Sequence, residues 1–392
     1  MSWNNTNTKR EREAFIGDFQ REEFGVVELA LRYGISRKTA YKWLGRFEEE
    51  GWAGLEERSR AARNHPNALS GKIEKRVLEL KARWPRWGAP KLLVKLRERV
   101  PAEEWPSESG VSRILQRHGL VRPQGRRRAR AQGTPLQEYL GSNAIWCADF
   151  KGWFSTGDGT ICTPLTITDG FSRYILRCQG LSEGTGGLIV HPIFETVMRE
   201  YGMPEAIRAD NGTPFACVGL GGLTRLSEWW LRLGIRLERS RPGCPQDNGR
   251  HERIHRTLKA ETAQSPQANM AAQQPAFDAF RREYNEERPH EGIDGQTPSA
   301  IYVPSAREFP ERVPKVEYAP HWQSRQVRES GQIKWQGKNV HVTVALAGER
   351  IGLEPVEDGI WMAHFATHPL GIFDERRGTI EPLRGRRKER RS

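Results

Sequence analysis

Apolar positions near the start of the chain recur at helical spacing. The run from Val26 to Tyr33 keeps that spacing and stops at Gly34, a residue able to take the left-handed conformation that closes a helix. Ile35 follows, and Ser36 is placed to cap a second helix running through Leu44. Helix, short glycine turn and helix make a helix-turn-helix pattern over residues 9–60. Ala30 suits a close helix crossing, and Ile35, Ala40 and Leu44 face the core. The second helix then presents Arg37, Lys38 and Thr39 in its first turn, with Tyr41 and Lys42 behind them. An ordinary helical hairpin with exposed lysines is the plainer alternative.

Residues 70–121 form a second helical block. Ile73, Val77 and Leu80 make one stripe, Pro90 opens a helix carrying Leu92, Leu93 and Leu96, and Val111, Ile114 and Leu115 mark a third. Helix-turn-helix and winged-helix arrangements both fit. From residue 136 to 304 the pattern becomes α/β. Strands are predicted over 145–150, 161–168, 174–178, 206–209 and 235–238, and helices over 188–201, 226–233, 250–261 and 276–287. Three strands in succession, then alternating helices and strands, imply a mixed five-stranded sheet with flanking helices. Over 325–376, apolar residues alternate with polar ones between Gln336-Gly337, Ala347-Gly348 and Asp358-Gly359, the pattern of a small antiparallel sheet or barrel, and a small C-terminal β-barrel is expected. The fold class is therefore multidomain.

Charge narrows the function. A net charge of +13 over 392 residues argues for an anionic partner, and the second helix above becomes a candidate groove reader. Residues 122–135 lack apolar periodicity and carry Arg126, Arg127, Arg128 and Arg130. Such a linker suits contact with phosphates between two domains. Residues 377–392 read as a basic disordered tail. Five scattered cysteines give no disulfide framework or zinc knuckle and fit a reducing cytoplasm. No apolar run approaches membrane-spanning length, so a soluble cytoplasmic protein associated with the nucleoid is expected.

Three carboxylates carry the candidate chemistry. Asp149 closes the apolar run 145–150, Asp210 closes the run before Asn211-Gly212, and Glu252 opens a helical stretch. Hard carboxylate oxygens brought together from three segments suit a pair of Mg²⁺ ions running phosphoryl transfer on a nucleic-acid backbone. Arg256 and Lys259 follow Glu252 at i+4 and i+7, on one helix face, in reach of a phosphate beside the scissile bond. Asp158 and Asp169 precede glycine and read as turn formers, while Asp247 falls in the loop before the helix. His251-Glu252-Arg253-Ile254-His255 also satisfies the zinc-protease pattern H-E-x-x-H. Leu258 and Glu261 stand where a metzincin has its glycine and third histidine, and zinc proteolysis leaves both aspartate segments unexplained.

Several segments together carry a family resemblance. Trp146-x-Ala148-Asp149-Phe150-Lys151-Gly152, Asp210-Asn211-Gly212 and the run from Arg241 to Arg253 resemble bacterial insertion-sequence DDE transposases. Tyr284-Asn285-x-x-Arg288-Pro289-His290-Glu291 and Thr297-Pro298-Ser299-Ala300-x-Tyr302 match as well. The resemblance implies an RNase H-like core similar to that of retroviral integrase. It also implies that Asp149, Asp210 and Glu252 hold two Mg²⁺ (or Mn²⁺) ions about 3.5–4 Å apart. Lys259 matches a basic position of the family. The implied activity is binding of terminal inverted repeats, cleavage of DNA ends and joining of the 3′-hydroxyl to target DNA, by a homo-oligomer on double-stranded DNA. Asp210 and Glu252 lie further apart than in many relatives, a difference attributed to the glycine-rich insertion 216–223. A catalytically inactive DNA-binding regulator and an RNase H-like nuclease without strand transfer are the competing classes.

Overall fold

The computed structural model describes residues 8–57, 70–101, 105–121, 139–239 and 249–383. The chain divides into two units, Met1–Ser70 and Gly71–Ser392. The arginine-rich linker with Arg126, Arg127, Arg128 and Arg130, the loop with Asp247, and residues 384–392 lie outside the described residues.

Among the described residues, the first unit has the α-helices α1 (Thr8–Gln20), α2 (Val26–Arg32) and α3 (Arg37–Glu50), the last followed by a 3-10 turn at Gly51–Leu55. Phe15, Ile16, Leu29, Ala30, Ile35, Ala40, Trp43 and Leu44 pack into one core, as the helical spacing predicts. Gly34 takes φ +64°, so the chain reverses there without a Cβ penalty. Ile35 N–H returns to Ala30 O at 2.9 Å and closes α2. Ser36 Oγ accepts the Thr39 amide at 3.2 Å, capping α3. The Ser36→Ala variant is expected to lose about 1 kcal/mol of local stability. Amide exchange in α3 should then quicken about fivefold; an unchanged rate would remove the cap from the argument.

The second unit opens with α4 (Gly71–Arg83), α5 (Ala89–Arg99) and α6 (Glu108–Arg117). Val77, Leu80, Leu92, Leu93, Leu96, Val111, Ile114 and Leu115 are buried, while Ile73 is half-buried. No strand accompanies these helices among the described residues, so no wing is seen there.

A mixed sheet follows, with α/β order. Its strands are β1 (Ile145–Phe150), β2 (Phe154–Ser155), β3 (Ile161–Asp169), β4 (Ile175–Leu181), β5 (Ala206–Ala209) and β6 (Arg236–Arg239). Helix α7 (Gly187–Tyr201) leads into β5, and α8 (Arg225–Arg232) leads into β6. Then come α9 (Gly249–Leu258), α10 (Met270–Arg282) and the short α11 (Pro298–Ile301). Five strands run in the order β4-β3-β1-β5-β6, with β1 central. The two-residue β2, absent from the sequence expectation, pairs with the start of β3. β1 is antiparallel to β3 and parallel to β5. One face, with Trp146, Ala148, Leu165, Ile167 and Ile207, packs on α7 and α8 through Val190, Phe194, Trp229 and Trp230. The opposite face, with Cys162, Ile175 and Cys178, packs on α9 and α10 through Ile254, Leu258, Phe277 and Phe280. The motif residue Asn285 seals the edge strand: its Oδ1 accepts Ile175 N–H at 2.8 Å and its Nδ2 donates to Ile175 O at 3.0 Å.

The C-terminal region differs from the expected barrel. β7 (Gln323–Gln326), β8 (Gln332–Trp335), β9 (Lys338–His341), β10 (Arg350–Glu357), β11 (Ile360–Phe365), β12 (His368–Asp374) and β13 (Thr379–Glu381) follow in order. They form an open five-stranded antiparallel sheet, β13-β12-β11-β10-β7, and a separate β8-β9 hairpin. The hairpin sits beside β7 and β13 without ladder bonds to either among the described residues, so the ring does not close. Residues 379–381 pair with β12, which places a strand where the basic tail is expected to begin.

The glycine-rich insertion packs against the C-terminal sheet. Leu220 and Leu223 pack into the C-terminal core with Val327, Ile351 and Phe365, and His368 Nε2 lies 3.2 Å from Gly221 O. The added length between Asp210 and Glu252 therefore forms a docking element rather than a free surface loop.

Candidate active site

Strand register brings the two aspartates together. In the parallel pair, Ala148 lies opposite Ala209, so Asp149 and Asp210 follow as the next residues at the same end of the sheet. Side chains alternate along a strand, which puts both on the face shared with Cys147 and Arg208. Thr166 lies directly across β3 from Asp149, on that same face. Helix α9 crosses it: His251, Ile254, His255 and Leu258 turn inward and are buried, while Glu252, Arg253, Arg256 and Lys259 stay exposed. That division follows the i, i+3, i+4, i+7 spacing of a one-sided helix. Lys259 begins a π-helical turn, Lys259–Ala263, so the regular α spacing that aligned it with Glu252 ends at this residue.

The three acids are coupled electrostatically. Asp149, with its side chain 22% exposed, is pushed up to about 7. Burial is the largest cause; the neighbouring carboxylates of Asp210 and Glu252 add to it, while the Phe150 amide and Lys151 oppose it. Phe150 N–H donates to Asp149 Oδ1 at 2.8 Å. Gly212 N–H donates to Asp210 Oδ1 at 3.2 Å, and Asp210 and Glu252 are exposed. Three acids converging around a desolvated member repel one another, and a divalent cation removes that repulsion. The donor set also fits: hard carboxylate oxygens suit Mg²⁺ or Mn²⁺.

Among the described residues, the group whose ligand atoms all lie within 4.8 Å of one another is Asp149, His251 and His255, not the three carboxylates. The sequence reading noted both histidines as a protease pattern but missed their partner Thr166. Thr166 Oγ1 lies 2.7 Å from both His251 Nε2 and His255 Nε2. Burial lowers His251 to about 4 and, with help from His251 and Lys151, lowers His255 to about 2. Both rings are therefore neutral at pH 7. The available signal was a polar threonine pair, Thr166 and Thr168, set at period two inside an apolar strand.

Other candidates take structural places. Asp158 Oδ1 accepts Thr156 Oγ1 and Thr160 N–H and organises a turn. Asp169 accepts the Asn143 and Ser172 amides and the Ser172 hydroxyl, all at 2.6–2.7 Å, and ties β3 to β4. In the first unit, Arg37, Lys38, Tyr41 and Lys42 are exposed on α3, while Thr39 is half-buried beside the Ser36 cap.

Four family models match this chain. They are a helix-turn-helix domain over residues 11–63, a homeodomain-like domain over 39–115, an integrase core domain over 233–298 and an IS481 family transposase C-terminal domain over 322–381. The integrase-core match includes Glu252 but neither aspartate. The insertion element IS407 uncharacterized 31.7 kDa protein of Burkholderia multivorans is 28% identical over 181 residues, 44% of this chain and 62% of that relative's length. Among solved structures, the HTLV-2 integrase catalytic core domain in complex with magnesium is 17% identical. It overlaps 42% of this chain and all of that one at a TM-score of 0.33. A simian T-cell lymphotropic virus intasome chain is 18% identical over 70% of this chain and 97% of its own, at 0.37. Overlaps at such scores carry no weight for the chemistry. The resemblance read from the motifs stands on the family models: the chain is similar to insertion-sequence transposases and carries helix-turn-helix and integrase-core segments.

Proposed function

We propose that this protein is a DDE transposase that binds the terminal inverted repeats of its insertion sequence, cleaves the DNA ends and joins the 3′-hydroxyl to target DNA. The observation that carries this reading is the register placing Asp149 beside Asp210 at one end of the sheet, under the helix that bears Glu252. Asp149, Asp210 and Glu252 would hold two Mg²⁺ ions, or Mn²⁺. Bound there, the ions would supply an activated attacking oxygen and charge stabilisation at the leaving oxygen. The protein's own part is to fix the carboxylates. Asp149 is braced by the Phe150 amide on the central strand, and Asp210 by the Gly212 amide. Arg256, on the exposed face of α9, and Lys259, at the start of the π-helical turn that follows, would present positive charge to the DNA backbone.

DNA ends would be engaged by the helical segments 9–60 and 70–121, with Arg37, Lys38, Thr39, Tyr41 and Lys42 of α3 at the groove. Arg126, Arg127, Arg128 and Arg130 would contact phosphates. Two ends processed together require a homo-oligomer on double-stranded DNA. The test is incubation of purified protein with a labelled end substrate, target DNA and Mg²⁺. Joined product supports the transposase; hydrolysed ends without joined product make it a nuclease, and binding without nicking makes it a regulator. If Lys38 contacts a phosphate, Lys38→Ala should weaken binding to all sequences alike and lower the slope of log affinity against log salt by about 1. Loss confined to particular base pairs would make it a base reader instead.

A further inference from the structure

Hydrogen-bond bookkeeping at Thr166 fixes where the protons of the two histidines lie. The Thr166 hydroxyl has one proton and three partners: Asp149 O at 3.2 Å, and the Nε2 atoms of His251 and His255 at 2.7 Å each. A carbonyl oxygen only accepts, so the hydroxyl donates to Asp149 O and takes an N–H from each ring. Both imidazoles are buried, and a ring whose single N–H is engaged at Nε2 keeps Nδ1 as a bare lone pair. His251 Nδ1 faces the Thr168 hydroxyl at 3.4 Å. His255 Nδ1 instead faces Asp149 Oδ2 at 3.8 Å, and no donor lies within hydrogen-bond distance of it among the described residues. A nitrogen lone pair and a carboxylate oxygen at that separation attract a cation placed between them.

We infer that His255 Nδ1 is a further ligand for a metal ion held by Asp149, outside the three-carboxylate set. The inference rests on the proposed function only in placing a divalent ion at Asp149. A ligating histidine ordinarily donates its other ring N–H to a nearby acceptor, which sets the tautomer and the ring plane; here Thr166 is that acceptor. His251 completes the arrangement as a positioning residue: it donates to the same hydroxyl and turns the Thr166 proton toward Asp149 O. The H-E-x-x-H spacing thus serves a different geometry from the zinc proteases, because both Nε2 atoms face Thr166 and it is the Nδ1 of His255 that faces the carboxylate. An imidazole nitrogen in the set favours Mn²⁺ over Mg²⁺ relative to carboxylates alone.

The experiment is Mn²⁺ binding to the full-length protein, read by electron paramagnetic resonance with detection of nitrogen coupling. The wild-type spectrum should carry coupling from one imidazole nitrogen. His255→Gln keeps an amide near Nε2 for Thr166 but has no group at Nδ1; it should lose the coupling and bind Mn²⁺ about tenfold more weakly, or worse. His255→Asn places a carbonyl oxygen near Nδ1; it should lose the coupling yet recover part of the affinity. Wild-type protein that binds Mn²⁺ in an Asp149-dependent way without nitrogen coupling overturns the inference and leaves the proposed function standing. Equal affinity in the Gln and Asn variants overturns it too. Wild-type protein that binds no Mn²⁺, even with end DNA, overturns both. The wild-type spectrum decides the matter even if a variant fails to fold.

Discussion

Asp149→Asn should abolish metal-dependent nicking of an end substrate, lowering the rate about 10³-fold or more, while DNA-end binding stays near the wild-type value. Asp149 sits on the central strand, in register with Asp210, and the α9 helix closes over it. Replacing one anionic oxygen by an amide nitrogen would remove a proposed metal ligand from the middle of the cluster. Charge stabilisation by a bound ion is worth several kcal/mol in the transition state, and each 1.36 kcal/mol or so is tenfold in rate. Binding is spared because the proposed groove contacts lie on α3, in the other unit. Nicking at more than a tenth of the wild-type rate in a folded Asp149→Asn protein would take Asp149 out of the chemistry.

The same substitution should stabilise the metal-free protein at neutral and higher pH, by an amount on the order of a few kcal/mol. Asp149 has its folded pKa raised from 3.8 to about 7. Between those values the folded chain binds a proton that the unfolded chain does not, so stability falls as pH rises through that window. The loss is complete above about pH 7 and absent below about pH 4, where aspartate is neutral in both states. Asparagine does not titrate. The gap between variant and wild type should therefore be large at pH 8 and close toward pH 4. Buried His251 and His255 destabilise both proteins alike at low pH and cancel in the difference. Millimolar Mg²⁺ should stabilise the wild type, by about 2.7 kcal/mol at one hundred times its dissociation constant, and leave the variant unmoved. Urea unfolding at several pH values, with and without Mg²⁺, measures all of this; a gap independent of pH would contradict the desolvated-acid reading.

Much of the core was legible because its strands are buried on both sides. The runs 145–150 and 206–209 read as strands from mostly apolar residues, and β1 and β5 have those bounds. The helix-turn-helix was legible through its punctuation, since Gly34 and Ser36 each have a local reason to be where they are. Polar or broken strands were not. β7 is Gln-Ser-Arg-Gln, with no apolar alternation to detect, and β12 contains Pro369 and Gly371, which read as turn residues. Without those strands the C-terminal pattern suggested a closed barrel. The insertion 216–223 looked like a loop because its glycines dominate locally; its two leucines pack into a cluster most of whose members lie more than one hundred residues away. At the site, chemistry proposes the three carboxylates, while Thr166 left only the weak signal of a period-two threonine pair, and its place opposite Asp149 comes from the strand pairing.

The convergence of Asp149, Asp210 and Glu252 on shared ions is best examined by anomalous diffraction from crystals of the protein with end DNA and Mn²⁺. The expected result is an anomalous peak about 2.1 Å from oxygens of both Asp149 and Asp210, with Glu252 completing the cage. Peaks absent from Asp149, or carboxylates held too far apart to share any ion with DNA bound, would contradict it.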